Sequence, residues 1–161
     1  MMRHKVVDSP IGQLLLAADE AGVCRIHLVK AGESLPNMHS CDLLEQVACE
    51  LNEYFSQKRR SFSFPISMRS TAFEMRVWQE LTQIPYGEIR TYGQLAAQLG
   101  MPKGARAVGG ACSRNPVLIA VPCHRVISAS GALTGFAAGI PAKCALLALE
   151  GHEMEHNRIR L

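Results

Sequence analysis

Short apolar runs alternate with turn-forming residues through the start of the chain. Residues 4–29, HKVVDSPIGQLLLAADEAGVCRIHLV, contain apolar segments that break at residues 8–10 and again at residues 19–22. Both breaks begin with Asp and contain Pro or Gly, residue types that favour tight turns. The pattern predicts a small antiparallel sheet of strands joined by these turns.

An amphipathic pattern replaces the strand pattern at residues 41–55. Here Leu44, Val47, Leu51 and Phe55 recur at helical spacing, with acidic residues on the opposite face. We expect this helix to pack on the small sheet. The following segment mixes basic, β-like and polar residues, so we predict an α/β domain over residues 1–69 and a second domain over residues 70–161.

Two helix-start signals open the second half. Thr71 with Glu74, and Thr91 with Gln94, each have the capping-box spacing in which two side chains satisfy exposed backbone amides. Gly100 provides a stop for the second of these helices, and a short turn leads into residues 105–113, ARAVGGACS. A helix, a glycine-containing turn and another helix predict a helix-turn-helix, although two ordinary packed helices give the same outline.

The helix over residues 105–113 has an unusual composition. Gly109 and Gly110 each cost about 1 kcal/mol of helix stability relative to alanine. Small residues on an exposed face let the backbone approach another surface closely. Arg106 projects from the start of the same helix, and no acidic residue stands between Glu88 and Glu150. Such a basic stretch is either a solvated face or a surface that meets phosphates.

The last third contains the reactive residues. Asn115-Pro116 breaks the chain, and the run VLIAV, residues 117–121, predicts a buried strand that leads to Cys123 and His124. A loop rich in Ser, Gly and Ala follows, and then a helix over residues 141–150 that begins with Pro and is closed by Gly151. Glu150 lies in its last turn, where the helix dipole disfavours a carboxylate, so it is either solvated or paired with a group such as an imidazole.

Composition excludes several classes of protein. The chain has 161 residues, 48% of them hydrophobic, and a net charge of +3, which describe an ordinary globular protein. Its six cysteines lack C-x-x-C spacing and the start lacks a signal-peptide pattern, so we expect reduced thiols and a cytoplasmic location. The longest apolar runs fall short of the roughly 20 residues that a membrane span requires.

Cys123 and His124 are candidates for nucleophilic chemistry. A thiol needs a base or a positive charge nearby to become a nucleophilic thiolate, and His124 could supply it, through water if the two side chains diverge. Glu150 could orient the imidazole and complete a Cys-His-Glu relay. The alternative is a buried structural cysteine; a metal site lacks the required ligand spacing.

The segments around Cys123 resemble one known family. PCHRV after NPV and before SGALTGF, together with DSPIGQLLLA, FEMRVWQELTQIPYGEIRTYGQLA, GARAVGGACSRNP and LLALEGHE, resembles the O6-alkylguanine-DNA alkyltransferases, or methylated-DNA–protein-cysteine methyltransferases. The resemblance covers most of the chain in the family's order. It implies a ribonuclease-H-like α/β domain (a small antiparallel sheet plus a helix), followed by a mainly α domain with a winged-helix-like helix-turn-helix.

The resemblance also implies an activity. Cys123 would accept the alkyl group from O6 of guanine, and from O4 of thymine, in one irreversible transfer, so that each molecule repairs DNA once and needs no cofactor. His124, through water, and Glu150 would keep the thiol deprotonated, and Asn115 would tie the recognition helix to the active-site strand. The damaged nucleotide would be flipped out from the minor-groove side, because its O6 is unreachable inside the duplex.

Further residues take substrate or DNA roles by the same resemblance. Tyr92 would press on a phosphate, Arg106 would fill the gap in the base stack, and the bare backbone of Gly109 and Gly110 would fit the minor groove. The remaining residues assigned to substrate or DNA contact are Cys112, Arg125, Val126, Phe136 and Ala137. The partner would be double-stranded DNA carrying O6-alkylguanine, bound by a monomer, with cooperative binding as an open alternative.

Three departures and one main rival accompany the resemblance. Cys112 stands where some members have a methionine against the flipped base, and we expect it to be apolar lining. The pocket loop reads Phe136-Ala137-Ala138 where the family often has a Tyr, a small residue and a Gly, which bears on bulky alkyl groups. Asp19 and Cys24 stand where some members have a Cys and a His as zinc ligands, so we expect no metal. The rival is a non-enzymatic alkyltransferase-like protein that binds lesions; such proteins lack the acceptor thiol that Cys123 provides.

Overall fold

Three antiparallel strands and one helix form the first structural unit. In the computed structural model, which describes residues 1–160, the strands are β1 (Arg3–Val7), β2 (Leu14–Ala18) and β3 (Val23–Leu28), in the order β1-β2-β3. The turn between β2 and β3 is held by Asp19, whose carboxylate accepts hydrogen bonds from the amides of Ala21 and Gly22. Strand β2 is buried along its whole length, because it lies between two neighbours in the sheet and beneath a helix.

Helix α1 (Asp42–Phe55) covers this sheet, as its periodicity predicts. Leu44, Val47 and Leu51 are buried on the face turned to the strands. The helix also carries a buried carboxylate, Glu50, which accepts hydrogen bonds from the amide and hydroxyl of Ser63. These bonds fix the polar segment that follows the helix.

Helices dominate the second unit. They are α2 (Ala72–Leu81), α3 (Tyr92–Gln98), α4 (Ala105–Ser113) and α5 (Ile140–Leu149). Four two-residue strands accompany them: β4 (Arg90–Thr91) pairs in parallel with β5 (Val126–Ile127), and β6 (Met154–Glu155) pairs antiparallel with β7 (Arg158–Ile159). A 3₁₀ turn over Cys123–Arg125 directly precedes β5.

The predicted helix starts take different forms. Thr91 and Gln94 form the complete capping box at the start of α3. Thr71 accepts a hydrogen bond from the amide of Glu74, but the Glu74 carboxylate bonds the Ser70 hydroxyl and Arg114 instead of completing a box. Helices α3 and α4 pack on each other as a helix-turn-helix does, and the indole of Trp78 ties α2 to α4 through a 2.9 Å bond to the carbonyl of Ala111.

The predicted strand over residues 117–121 is wrong. This segment makes one bridge, between Val117 and Ile26 of β3, and then turns, with the amide of Ala120 bonded to the carbonyl of Leu118. Ile119 has φ of 73°, a left-handed conformation that ends any extended run and is uncommon for a β-branched residue.

The same segment corrects the predicted domain division. The first unit comprises Met1–Arg69 together with Pro116–Ala120, and the second comprises Ser70–Asn115 and Val121–Leu161. The change at residue 69 lies at the predicted boundary, whereas residues 116–120 were assigned to the second domain. They belong to the first unit because their hydrogen bonds are made with β3.

Candidate active site

Cys123 opens the 3₁₀ turn and its thiol is held by Asn115. The Asn115 side-chain amide donates to Sγ of Cys123 at 3.1 Å and to the carbonyl of Val121 at 2.7 Å. Asn115 follows the end of α4, so its amide connects that helix to the turn with the thiol. It contacts the sulfur directly, which is a closer relationship than the sequence predicted.

Burial determines the protonation state of the Cys123 thiol. The residue is 3% exposed, and burial raises the thiol pKa to about 11, against smaller lowering effects of the Asn115 hydrogen bond and the Lys143 charge. At neutral pH the resting thiol is therefore protonated. In the unbound protein burial outweighs these effects. The predicted role of His124 and Glu150 in deprotonating the thiol therefore stays a prediction for the DNA-bound protein.

His124 and Glu150 form a fully buried pair. Nε2 of His124 lies 2.7 Å from a carboxylate oxygen of Glu150, and neither side chain is exposed. Burial would raise the pKa of Glu150, but bonds and charges from His124 and Arg125 take it well below the ordinary 4.5. Since an ionised carboxylate only accepts hydrogen bonds, Nε2 of His124 carries the proton.

The other ring nitrogen of His124 is available as a base. Burial lowers the pKa of His124, and the hydrogen bond and charge of Glu150 restore only part of it, so the imidazole is neutral at pH 7. Its Nδ1 is buried and has no hydrogen-bond partner within the described residues. With Nε2 protonated, Nδ1 is the ring nitrogen that can accept a proton.

Arg125 is part of this buried cluster instead of a DNA contact. Its guanidinium donates to both carboxylate oxygens of Glu150, at 2.8 and 3.1 Å, and to the carbonyl of Ile84 at 2.7 Å. The side chain is buried, so its assignment as a DNA-binding residue is corrected. The arginine supplies the positive charge that keeps Glu150 ionised beside His124.

Lys143 is a buried cation that sequence reasoning did not assign to the site. Its Nζ donates to the carbonyls of Val126 at 2.6 Å and Thr134 at 3.1 Å, and it contacts the hydroxyl of Tyr92 at 3.4 Å. Burial lowers its pKa to about 8, although the nearby thiols of Cys123 and Cys112 raise it. A lysine within the apolar helix PAKCALLAL, four residues before a buried Leu147, was the signal available in the sequence.

Two of the predicted pocket residues, Tyr92 and Cys112, lie near this lysine. Tyr92 is half-buried, donates to the carbonyl of Thr134 at 3.2 Å, and has its pKa raised to about 12 by burial and by the thiols of Cys112 and Cys123. Cys112 is buried and its thiol pKa is also raised to about 12, which fits an apolar lining. On the loop after Thr134, Phe136 is buried and Ala137 is exposed.

Helix α4 presents Arg106 and its glycines at the surface of the second unit. Arg106 is exposed, and Gly109 and Gly110 are partly exposed. A Cβ on Gly109 would meet only the ring of Tyr92, at an ordinary 3.7 Å. A Cβ on Gly110 would lie 3.3 Å from Nη1 of Arg114, closer than an ordinary contact. Packing inside the unit therefore does not explain Gly109, and it bears on Gly110 only through the Arg114 side chain.

The described residues contain neither a cluster of metal-ligand side chains nor a helix that could cross a membrane. No group of three or more His, Cys, Asp and Glu side chains in residues 1–160 could hold a metal ion. Asp19, one of the residues at the zinc positions, instead binds turn amides and the hydroxyl of Ser67. Over the same residues, every helix is too short or too polar to cross a membrane.

Comparisons with known proteins match both halves of the chain. Residues 2–68 match the ribonuclease-like domain of 6-O-methylguanine DNA methyltransferases, and residues 72–152 match the DNA-binding domain of the same family. A methylated-DNA–protein-cysteine methyltransferase of Methanosarcina acetivorans is 42% identical over 154 residues, which cover 93% of this chain and 99% of that protein.

Solved structures give the same result. Mycobacterium tuberculosis OGT, crystallised in complex with DNA, has a TM-score of 0.85 and 42% identity, covering 92% of each chain. S. pombe Atl1, crystallised with damaged DNA containing O6-carboxymethylguanine, has a TM-score of 0.51 and 34% identity, and covers 58% of this chain and 92% of its own. The family models and the OGT likeness confirm the predicted fold class.

Proposed function

The chain belongs to the 6-O-methylguanine DNA methyltransferase family, and we propose that it repairs duplex DNA by moving the alkyl group from O6 of guanine to Cys123. Its enzyme class is that of the methylated-DNA–protein-cysteine methyltransferases. The observation that carries the proposal is the buried Cys123 thiol, held by the Asn115 amide and directly followed in the chain by His124, which pairs with Glu150. The same chemistry would remove an alkyl group from O4 of thymine. The reduced thiols favour a cytoplasmic location.

The transfer is a direct displacement at the alkyl carbon. The sulfur of Cys123 attacks that carbon, the carbon–O6 bond breaks, and its electron pair stays on the guanine oxygen. The thiol proton leaves the sulfur and a proton is returned to the guanine, so the products are S-alkylcysteine and unmodified guanine. Because a thioether is stable, each molecule reacts once.

His124 accepts the thiol proton in this reaction. A bridging water carries the thiol proton to Nδ1 of His124, the ring nitrogen that lacks a protein partner. The imidazolium that forms is stabilised by the Glu150 carboxylate on Nε2. Since the pKa of the resting thiol is about 11, deprotonation accompanies the transfer and does not precede DNA binding.

The described surface of α4 supports binding of a flipped nucleotide. Arg106 is exposed at the start of the helix and would occupy the space that the flipped base leaves. Gly109 and Gly110 would bring bare backbone against the minor groove. Packing within the protein does not require a glycine at Gly109, where a Cβ would make only an ordinary contact. Flipping costs a few kcal/mol, less for a mispaired damaged base, which favours lesions over normal guanine.

Pocket residues complete the proposal. Tyr92 would contact the phosphate beside the flipped nucleotide, while its hydroxyl is positioned by the carbonyl of Thr134. Phe136 and Ala137 on the following loop, with Val126 and Cys112, would line the base pocket. Phe136-Ala137-Ala138 has no hydroxyl, so we expect methyl groups to be favoured over bulky alkyl groups.

Intact-protein mass spectrometry tests the proposal. After incubation with a duplex containing O6-methylguanine, the protein should gain one methyl group, mapped by peptide analysis to Cys123. Cys123→Ser should gain none, and Cys49→Ser, a change at an exposed cysteine, should still gain it. Lesion binding without a mass change would establish the rival lesion-binding function instead.

A second comparison tests the role of Arg106. Arg106→Ala should slow repair of duplex DNA strongly and leave the reaction with free O6-benzylguanine nearly unchanged, because a free base requires no flipping. Equal losses on the two substrates would contradict this role. Lys103→Ala, which removes an exposed charge just before the helix, is the matched control.

A further inference from the structure

Arg114 ends helix α4 with its guanidinium folded over Gly110. The side chain is 60% exposed, and its Nη1 and Nη2 lie 3.3 and 3.6 Å from the position that a Cβ on Gly110 would occupy. Arg106, Gly110 and Arg114 are spaced four residues apart, so they follow one face of the helix. Any surface that meets the backbone at Gly110 therefore also meets this guanidinium.

Glu74 holds the Arg114 side chain in this place. The carboxylate, in the first turn of α2, accepts hydrogen bonds from Nε of Arg114 and from the hydroxyl of Ser70. These two donors lower the pKa of Glu74, so it is ionised at neutral pH. The ion pair thus fixes the orientation of a guanidinium that would otherwise sample many rotamers.

The pairing uses only one edge of the guanidinium. Nε donates to Glu74, whereas Nη1 and Nη2 have no hydrogen-bond partner within residues 1–160. Two terminal N–H groups in one plane match two oxygens of a phosphate, the geometry that favours Arg in bidentate phosphate contacts. The free edge is therefore suited to a phosphodiester.

We infer that Arg114 is a phosphate-binding residue of the DNA interface, oriented by Glu74 so that its terminal nitrogens contact the DNA backbone beside Gly109 and Gly110. The inference rests on the proposed function for the direction from which DNA approaches α4. The contact is with the backbone, so it adds affinity for any duplex and no base preference. The contact also gives a reason for the ion pair. An unpaired Glu74 carboxylate would repel the DNA phosphates, and the Arg114 guanidinium neutralises its charge.

Salt dependence of duplex binding measures the contact. Binding of an undamaged duplex is titrated at several salt concentrations for the wild type and for Arg114→Gln. Losing one phosphate contact should weaken binding at every sequence and make the slope of log K against log salt shallower by about 1. Circular dichroism and thermal unfolding establish that each variant is folded.

Arg160→Gln is the matched control. Arg160 is also an exposed arginine paired with a glutamate, Glu153, and its loss changes the net charge equally. It should leave the slope at the wild-type value. A wild-type slope in Arg114→Gln, or an equal decrease in Arg160→Gln, would overturn the inference.

The two proposals fail in distinguishable ways. If the wild type takes no methyl from O6-methylguanine DNA, the proposed function is wrong, while the salt slopes still report whether Arg114 contacts phosphate. If the wild type is methylated and the slopes do not differ, only the assignment of Arg114 is wrong.

Discussion

The Glu150 carboxylate lies 2.7 Å from Nε2 of His124 in a contact that is fully buried, which leaves Nδ1 as the nitrogen that can take a proton. Glu150→Gln would exchange an ion for a neutral amide and remove the charge that stabilises the imidazolium. We expect methyl transfer to slow by about 10²-fold, measured by single-turnover kinetics on O6-methylguanine DNA.

The same substitution should also lower stability. Arg125 would keep a buried charge without its ionic partner, at a cost of about 3–5 kcal/mol in the free energy of unfolding. Urea denaturation measures this cost, and the kinetics must be recorded well below the unfolding temperature. Glu155→Gln, at an exposed carboxylate, is the control and should change neither quantity. A wild-type rate in folded Glu150→Gln would exclude the role of the carboxylate in catalysis.

The protonated resting thiol predicts an order of cysteine reactivity. Without DNA at neutral pH, iodoacetamide should modify the exposed Cys49 faster than Cys123, because burial raises the Cys123 pKa to about 11 and limits access. Peptide mapping over time measures both rates. Faster modification of Cys123 would mean that a thiolate already exists in the free protein.

The lowered pKa of Lys143 predicts that the effect of replacing it on the transfer rate depends on pH. With its pKa lowered to about 8, Lys143 carries a charge at pH 7 and loses it as the pH rises through that value. Because this charge favours the thiolate of Cys123, Lys143→Met should slow transfer by about tenfold near pH 7, and the ratio of wild-type to variant rates should fall towards 1 above pH 8.

Two further variants separate charge from structure at this position. Lys143→Arg keeps a cation and should recover part of the rate near pH 7. Lys103→Met, at an exposed lysine, should leave the pH profile unchanged. A ratio that stays constant from about pH 7 to pH 9 would assign Lys143 a purely structural role, that of bonding the carbonyls of Val126 and Thr134.

Gly109 predicts opposite effects on stability and on DNA binding. Gly109→Ala should raise the free energy of unfolding by up to about 1 kcal/mol, since alanine is the better helix former and its Cβ meets the Tyr92 ring at an ordinary 3.7 Å. Affinity for duplex DNA should fall by about tenfold, or ~1.4 kcal/mol, if bare backbone enters the groove. Denaturation and fluorescence anisotropy measure the two effects; unchanged affinity would remove Gly109 from the interface.

Local patterns predicted most of the secondary structure. The strands β1 to β3, helix α1 and the capped start of α3 follow from hydrophobic period, turn residues and capping side chains, all encoded within a few positions. The strand predicted from the apolar run at residues 117–121 is wrong because the burial of this run comes from pairing with β3, about 90 positions earlier in the chain. Periodicity does not report such a distant partner.

The sequence predicted the reactive residues of the site but not its buried positive charges. Cys123, His124 and Glu150 were identified from the sequence; all three are buried, and His124 bonds Glu150. The roles of Arg125 and Lys143 depend on burial: a charged side chain in a sequence is expected at the surface, and only the fold shows that these two are enclosed. The protonation state of the thiol depends on burial for the same reason.

Because Pro116–Ala120 belongs to the first unit, cutting the chain near Arg69 does not separate the two units. A chain that began at Ser70 would keep the apolar side chains of Val117, Leu118 and Ile119 but would lose β3, with which this segment forms its hydrogen bonds. Three buried side chains would then face water only a few positions before Cys123. Recombination at the boundary near Arg69 would therefore separate two sequences without yielding two self-sufficient proteins.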